Sequence, residues 1–266
     1  MTLTEQEKKL HHFLSGYGQV GIAFSGGVDS SFLLKSALDV LGGENVVVLF
    51  ARSCLQTKEE QHRALTWLAR HGFSRTVRLL TFNLKPLSWP EMATNPEDRC
   101  YQCKRRLYAL FFQELARMNI PFLLDGTNAD DVHQHRPGLL AIRELGVRTP
   151  LLDADLDKNK IRDLSRQLGL DTFDQPSSSC LATRIPHGLV ITRKRLEKIR
   201  QWEEGMAQLG FFGCRVRMDR FSKRVVSLQV LRKDLTRLSK PEMMRVVKDF
   251  FSVHAIEHVH INPNGR

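Results

Sequence analysis

The stretch AFSGGVDSS, residues 23–31, closes an apolar run, VGIAF (20–24), and opens an amphipathic one. In the second run Leu33, Leu34, Ala37, Leu38 and Leu41 share a helical face. Two adjacent glycines, an acid and three serines thus stand where a strand gives way to a helix. Gly26 and Gly27 admit positive φ and a close backbone approach, so successive N–H groups can point at one spot. The helix beginning near Val28 adds its dipole and its unsatisfied N–H groups there. Ser25, Ser30 and Ser31 add hydroxyls. Asp29 is out of place beside a phosphate unless Mg²⁺ bridges the two. These residues predict an anion cradle: Ser25, Gly26, Gly27, Val28 and Ser30 around a phosphate chain, and Asp29 on Mg²⁺.

No Gly-Lys-Ser/Thr follows, so the loop is not a Walker A loop, and the G-x-G-x-x-G spacing is missing too. It resembles the pyrophosphate loop of the N-type ATP pyrophosphatases, which cleave ATP to AMP and pyrophosphate while adenylating an oxygen. A capped helix after a glycine turn is the plain alternative.

Working outward, apolar runs recur at the spacing of β-α units: VVVLF (46–50), VRLLTF (77–82) and FLLDG (122–126). Helical patterns lie between them, such as Ala64, Leu65, Leu68 and Ala69. Continuous apolar strands alternating with helices predict an α/β fold whose parallel sheet is covered on both faces. Ligands of such sheets sit beyond the carboxyl ends of the strands. DGTNADD (125–131) reaches that edge, where Gly126 lets the backbone approach the nucleotide and Asp130 or Asp131 joins Asp29 around Mg²⁺. The pattern changes near PHG (186–188). A helical stretch from Thr192 to Leu209, alternating CRVRM and RVVSLQV, a helical pattern from about Asp234 to Phe251 and a closing HAIEHVHI follow. The expected organisation is a nucleotide domain over 1–185 and a smaller α+β domain over 186–266.

The 266 residues carry a net charge of +11, and residues 184–249 alone hold 17 Lys/Arg against 7 Asp/Glu. That imbalance points to a nucleic acid or a phosphorylated ligand, or to no more than a solvated basic face. No run of about 18 apolar residues marks a membrane span. The first twenty residues lack a leader pattern. Five cysteines, an odd number, do not make a disulfide framework. The expected compartment is the cytoplasm.

Cys100 and Cys103 form a C-x₂-C in RCYQCK, and Cys180 lies in PSSSCLATR. Three thiolates suit a [4Fe–4S] cluster with one open iron. A zinc site would need a fourth ligand, with His133 or His135 the candidates, and a metal-free reactive dithiol is the third choice. Arg184, four residues on, favours thiolate at Cys180. Cys54 and Cys214 read as small buried hydrophobes.

Together AFSGGVDSS, NPEDRCYQCK, LLDGTNADD, RPGLLAIRELGVRTPLLDADLDKNKIRDLSRQLGL and QPSSSCLATRIPHG resemble the ATP-dependent sacrificial sulfur transferases, the LarE family of nickel-pincer cofactor biosynthesis. The resemblance implies that ATP and Mg²⁺ adenylate a carboxylate of pyridinium-3,5-biscarboxylic acid mononucleotide. Sulfur at Cys180 then displaces AMP. It implies that Cys100, Cys103 and Cys180 carry a [4Fe–4S] cluster, as three-cysteine members do. It also makes Arg215 and Arg217 the grip on the substrate phosphate, with Arg184 beside them, and gives Glu203 a catalytic place near the cysteine. Glu204 is the competing register. A homo-oligomer is implied as well. Met218–Asp219 and Gln229 depart from the His and Glu that family members carry.

A tRNA thiolase would combine the same loop, cysteines and basic region, although basic–aromatic interleaving for base stacking is missing. An amide-forming synthetase of the superfamily would need none of the three cysteines. A nucleotide-binding regulator would release no pyrophosphate.

Overall fold

The computed structural model describes residues 4–133 and 137–266, apart from the side chain of His133. His135, one candidate zinc ligand, lies outside the described residues, as does the side chain of the other, His133. From α1 (Glu5–Ser15) the chain runs through β1 (Val20–Phe24), α2 (Val28–Leu41), β2 (Val46–Arg52), α3 (Lys58–Arg70), β3 (Arg78–Asn83) and the short α4 (Pro90–Ala93). There follow α5 (Arg99–Arg117), β4 (Phe122–Asp125), α6 (Pro137–Glu144), α7 (Pro150–Asp153) and α8 (Lys158–Gln167). The remainder holds α9 (Arg193–Gln208), β5 (Arg215–Met218), β6 (Val225–Gln229), α10 (Leu235–Leu238), α11 (Pro241–Val253) and β7 (His258–Ile261).

The four apolar runs form one parallel sheet in the order β3-β2-β1-β4, with Val20 opposite both Val46 and Phe122. Side chains of a strand alternate between faces, and β2 divides accordingly. Val46, Val48 and Phe50 pack with Leu10, Leu14, Phe32, Trp67 and Ile161, from α1, α2, α3 and α8. Val47 and Leu49 pack with Tyr108, Phe111, Leu115 and Ile142, from α5 and α6. Each fully buried Val, Leu or Phe contributes about 1.5–3 kcal/mol of transfer free energy. A strand apolar on both sides is therefore held from both sides, and its carboxyl end is fixed. This is the α/β class that the apolar runs predict.

The chain divides into two compact units. The first comprises the chain up to Ser53 with Lys58–Leu84 and Asp98–Ser177; the second comprises Cys54–Thr57, Lys85–Glu97 and Ser178–Arg266. The second unit has its own sheet, β5-β6-β7, with β5 antiparallel and β7 parallel to β6. Asn95 explains the grouping of its short upstream segment. It is buried, and its amide donates to the carbonyls of Ile185, Pro186 and Leu189 at 3.3, 2.7 and 2.9 Å. Leu55 is tied in by the Leu181 N–H, which donates to its carbonyl at 2.8 Å. Where one helix is expected from Asp234 to Phe251, the structure has α10 and α11, broken just before Pro241. The proline ring has no N–H and starts a helix better than it continues one. No helix among the described residues is long and apolar enough to cross a membrane.

Candidate active site

In the first unit the two loop glycines after β1 differ: Gly27 is extended, at φ −83°, and only Gly26 is left-handed. Gly26 takes φ +75°, and a Cβ there would stand 2.9 Å from that of Ala64. Gly27 is the N-cap of α2 and offers no side-chain cap to its first-turn N–H groups. Serines shape the loop around them. The Ser30 hydroxyl lies 3.1 Å from that of Ser25 and donates to the Gly27 carbonyl at 3.1 Å, while the Gly27 N–H donates to Ser25 Oγ at 3.3 Å. Uncapped N–H groups, the helix dipole and an exposed Ser25 make an anion site. Gly126 closes its far side, since a Cβ there would come within 3.0 Å of the Ser30 amide nitrogen.

Asp29 and Ser31 each leave a buried oxygen, Oδ1 and Oγ, without a hydrogen-bond partner among the described residues. The other Asp29 oxygen pairs with the ammonium of Lys158, at the start of α8. An orphaned carboxylate oxygen is costly unless something binds it, and a hard cation beside phosphate does so. These donors fit Mg²⁺. The same Lys158 donates its N–H to the Asp130 carboxylate at 2.9 Å. Asp131 instead turns inward and accepts the Asn128 N–H at 3.2 Å. Sequence reasoning named Asp29 and Asp130 but missed Lys158, which joins them. Its only mark was a lysine after the helix-capping Asp157.

A second cluster that the sequence did not reveal lies at the end of β4. Asp125 accepts hydrogen bonds from the Tyr108 hydroxyl and from the N–H (2.9 Å) and hydroxyl of Thr127, and pairs with Lys104 at 3.3 Å. Burial works against its charge, yet Lys104 and these hydrogen bonds outweigh burial and hold its carboxyl below the usual range. Tyr108 is pushed well above the ordinary tyrosine value, by burial first and then by Asp125.

Cys100 and Cys103 sit three residues apart, as the second and fifth residues of α5. That spacing puts them on one helix face. They belong to the first unit, and Cys180 to the second. Among the described residues no group of three or more His, Cys, Asp or Glu side chains is placed to hold a metal ion. The expected [4Fe–4S] site, with Cys100, Cys103 and Cys180 as ligands, is therefore not supported by these side chains. Magnesium ligation at Asp29 is a separate matter, because the metal would take its remaining oxygens from phosphate and water.

In the second unit Cys180 caps a one-turn helix, Leu181–Arg184. The buried Arg184 clamps this loop. Its guanidinium donates to the Ser179 carbonyl at 2.9 Å and to the Thr183 hydroxyl at 2.8 Å. It also forms a fork on Glu203, with Nε to Oε1 at 2.8 Å and Nη2 to Oε2 at 3.3 Å. Glu203 Oε1 accepts the Val216 N–H on β5 as well, at 2.9 Å, whereas Glu204 is exposed. Glu203, not Glu204, is thus the acid that faces Arg184. Here Glu203 and Arg184 bind each other, which fixes the cysteine loop against β5.

Arg215 and Arg217 alternate along β5 onto one face. Arg217 donates to the Gln229 amide oxygen at 2.8 Å. Burial, then repulsion from neighbouring arginines, lowers the pKa of Arg215, with Arg266 the strongest repeller, followed by Arg184 and Arg217. Arg217 is lowered by burial and then Arg184, and Arg266 by burial and Arg184, while Glu203 partly offsets the repulsion at all three. Four guanidiniums around one carboxylate leave a surplus of positive charge suited to a phosphate. Arg266 is the member that sequence reasoning missed. Burial pushes the thiol of nearby Cys214 up to about 12, which keeps it neutral.

A parallel sheet with an uncapped, serine-lined helix start and an unsatisfied aspartate is the nucleotide-cleaving domain of the PP-loop superfamily. No protein-family model matches the chain. It is 33% identical over 216 residues to pyridinium-3,5-bisthiocarboxylic acid mononucleotide synthase of Lactiplantibacillus plantarum, covering 81% of this chain and 77% of that protein. An uncharacterized protein of Synechocystis sp. is 33% identical over 82% of this chain and 81% of its own length. A glutamine-hydrolyzing GMP synthase component of Thermoplasma volcanium is 29% identical over 69% of this chain and 61% of its own length. The chain belongs to the LarE family of the PP-loop superfamily, and it is an enzyme, an ATP-dependent sulfur transferase.

Proposed function

We propose that this enzyme, working in the cytoplasm, adenylates a carboxylate of a pyridinium-3,5-biscarboxylic acid mononucleotide and replaces an oxygen of that carboxylate with sulfur. What carries the reading is the uncapped start of α2 with the orphaned Asp29 Oδ1, in a chain 33% identical to a mononucleotide synthase of this chemistry. Ser25, Gly26, Gly27, Val28 and Ser30 hold the β- and γ-phosphates, and Asp29 holds Mg²⁺, which neutralises charge on the leaving pyrophosphate. Gly126 leaves room for the nucleotide. Arg215 and Arg217, with Arg266, bind the substrate phosphate.

The carboxylate oxygen attacks the α-phosphorus and pyrophosphate leaves. The Cys180 thiolate then attacks the acyl carbon, and AMP leaves with its electron pair. Loss of the Cys180 Cα proton with cleavage of the Cβ–S bond releases the thiocarboxylate and leaves dehydroalanine. Arg184 and Glu203 position the loop for this attack.

The test supplies the dicarboxylate mononucleotide with ATP and Mg²⁺ and measures pyrophosphate, thiocarboxylate and intact protein mass. Wild type is expected to release pyrophosphate, form thiocarboxylate and lose the mass of H₂S. Cys180→Ala is expected to release pyrophosphate without forming thiocarboxylate. Failure of wild type to release pyrophosphate with this acceptor would overturn the assignment. Thiocarboxylate formation by Cys180→Ala would remove Cys180 from the sulfur step.

A further inference from the structure

We infer that the second unit carries a separate binding pocket for a phosphorylated aromatic molecule of mononucleotide size. A cavity of about 370 Å³ opens between the first half of α9 and the turn joining β5 to β6. That volume lies in the range of small-molecule sites. Lys194, Arg195 and Lys198 line it from α9, and Arg220 and Lys223 from the turn. Among the described residues Lys194, Lys198, Arg220 and Lys223 have no carboxylate partner. Asp219 is the one acid in the lining, and its carboxylate is occupied by the N–H groups of Phe221 and Ser222, both at 2.8 Å. Five cations gathered on a concave surface with a single carboxylate among them keep a surplus of positive charge, and a bound anion relieves their repulsion.

The rest of the lining calls for more than an anion. Leu189, Trp202, Met218 and Val225 give it apolar wall. Phe221 stands at the pocket 93% exposed, with the Arg220 guanidinium 5.9 Å from its ring centre. Inorganic phosphate would leave the apolar wall and the ring uncovered. A planar base or pyridine ring would stack there and carry its phosphate to the lysines.

The pocket is distinct from the arginine cluster described above. Met218 follows Arg217 in an extended strand, so the two side chains point to opposite faces of the sheet. Arg195, Lys198 and Trp202 follow one another at helical spacing and line the pocket from the α9 side.

The test is calorimetric titration with AMP and with nicotinic acid mononucleotide. Saturating Mg²⁺ and α,β-methylene-ATP keep the α2 site filled, and an Arg215→Ala/Arg217→Ala background removes the substrate-phosphate grip. One equivalent of either mononucleotide is expected to bind, at least about tenfold more tightly than inorganic phosphate. Lys198→Glu/Lys223→Glu is expected to weaken binding by about tenfold or more, and Phe221→Ala to weaken the mononucleotide but not phosphate. Lys198→Gln/Lys223→Gln, a milder change, is expected to weaken it in the same direction. No binding in the arginine-free background, equal binding of phosphate and mononucleotide, or indifference to the lysine substitutions would overturn the proposal. None of these readouts involves turnover, so this proposal can fail while the sulfur-transfer reading stands.

Discussion

Asp29 gives one oxygen to Lys158 and leaves the other buried without a partner among the described residues, which suits the magnesium role proposed for it. Its buried oxygen without a partner costs the folded chain, and that cost offsets the helix-dipole and Lys158 attraction that a neutral replacement would lose. Asp29→Asn is therefore expected to lower pyrophosphate release at least about a hundredfold, the scale on which a single preorganised charge contact acts. A thermal melt should move little, and unchanged release would take Asp29 out of the mechanism. Glu203 behaves in the opposite way. Its carboxylate is paired with an Arg184 whose side chain is only 6% exposed. Removing one partner leaves a buried charge uncompensated, at a cost of about 3–5 kcal/mol. Glu203→Gln should lose stability on that scale in urea unfolding; a loss under about 1 kcal/mol, the range of an exposed pair, would contradict the clamp. Asp125 adds a pH dependence. Its folded carboxyl is held below the usual range, so its charge stabilises the fold above the unfolded pKa. That contribution is lost as pH falls through the folded value. Asp125→Asn should flatten the acid side of the stability–pH curve, and a curve of unchanged slope would refute the assignment.

At the scale of elements, the strands were legible and the cysteine helix was not. VGIAF, VVVLF and FLLD are apolar on both sides because helices cover both faces of the sheet, and that double burial leaves an unbroken run in the sequence, whereas RLLTF, on the edge strand β3, is only half-buried and carries Arg78 and Thr81. The start of α5 is polar, and its C-x₂-C shows no apolar period to mark the helix whose second and fifth residues Cys100 and Cys103 are. The α10–α11 break was written in Pro241, which a reading by hydrophobic period alone passes over. Gly126 marks a close backbone approach of two elements, since an added Cβ would lie 3.0 Å from the Ser30 nitrogen and 3.2 Å from the Asp29 carbonyl carbon. Both neighbours are backbone and cannot rotate aside. Gly126→Ala should push the end of β4 away from the start of α2 and weaken ATP binding, with less effect on the melting temperature than on the apparent affinity for ATP. Equal ATP affinity in the variant would mean that α2 is free to shift without cost.

For the whole molecule, the change of pattern near residues 186–188 predicts two parts, but the grouping of 54–57 and 85–97 with the C-terminal part has no local signature. Those segments are held by buried amide contacts such as those of Asn95, made across some ninety residues of sequence. Spacing rules reach a turn or two, not that far. The excess positive charge is different, being fully legible as a sum and illegible in its use. In the second unit part of it gathers around Arg215 and Arg217 and part lines the pocket beside α9. Local clusters of that kind suit small anions. A bound RNA would engage many phosphates through counterion release, with affinity falling by about 10³–10⁵ between 50 and 200 mM salt for six to ten contacts. Bulk tRNA is accordingly expected to bind this enzyme only at low salt, to be displaced equally well by poly(U), and to leave thiocarboxylate formation unchanged at physiological salt. Filter binding across a salt series, with poly(U) as competitor, measures the first two, and the turnover assay the third. A tRNA complex that survives 200 mM salt and resists poly(U) would make the basic third a nucleic-acid surface and transfer the sulfur acceptor from a small carboxylate to RNA.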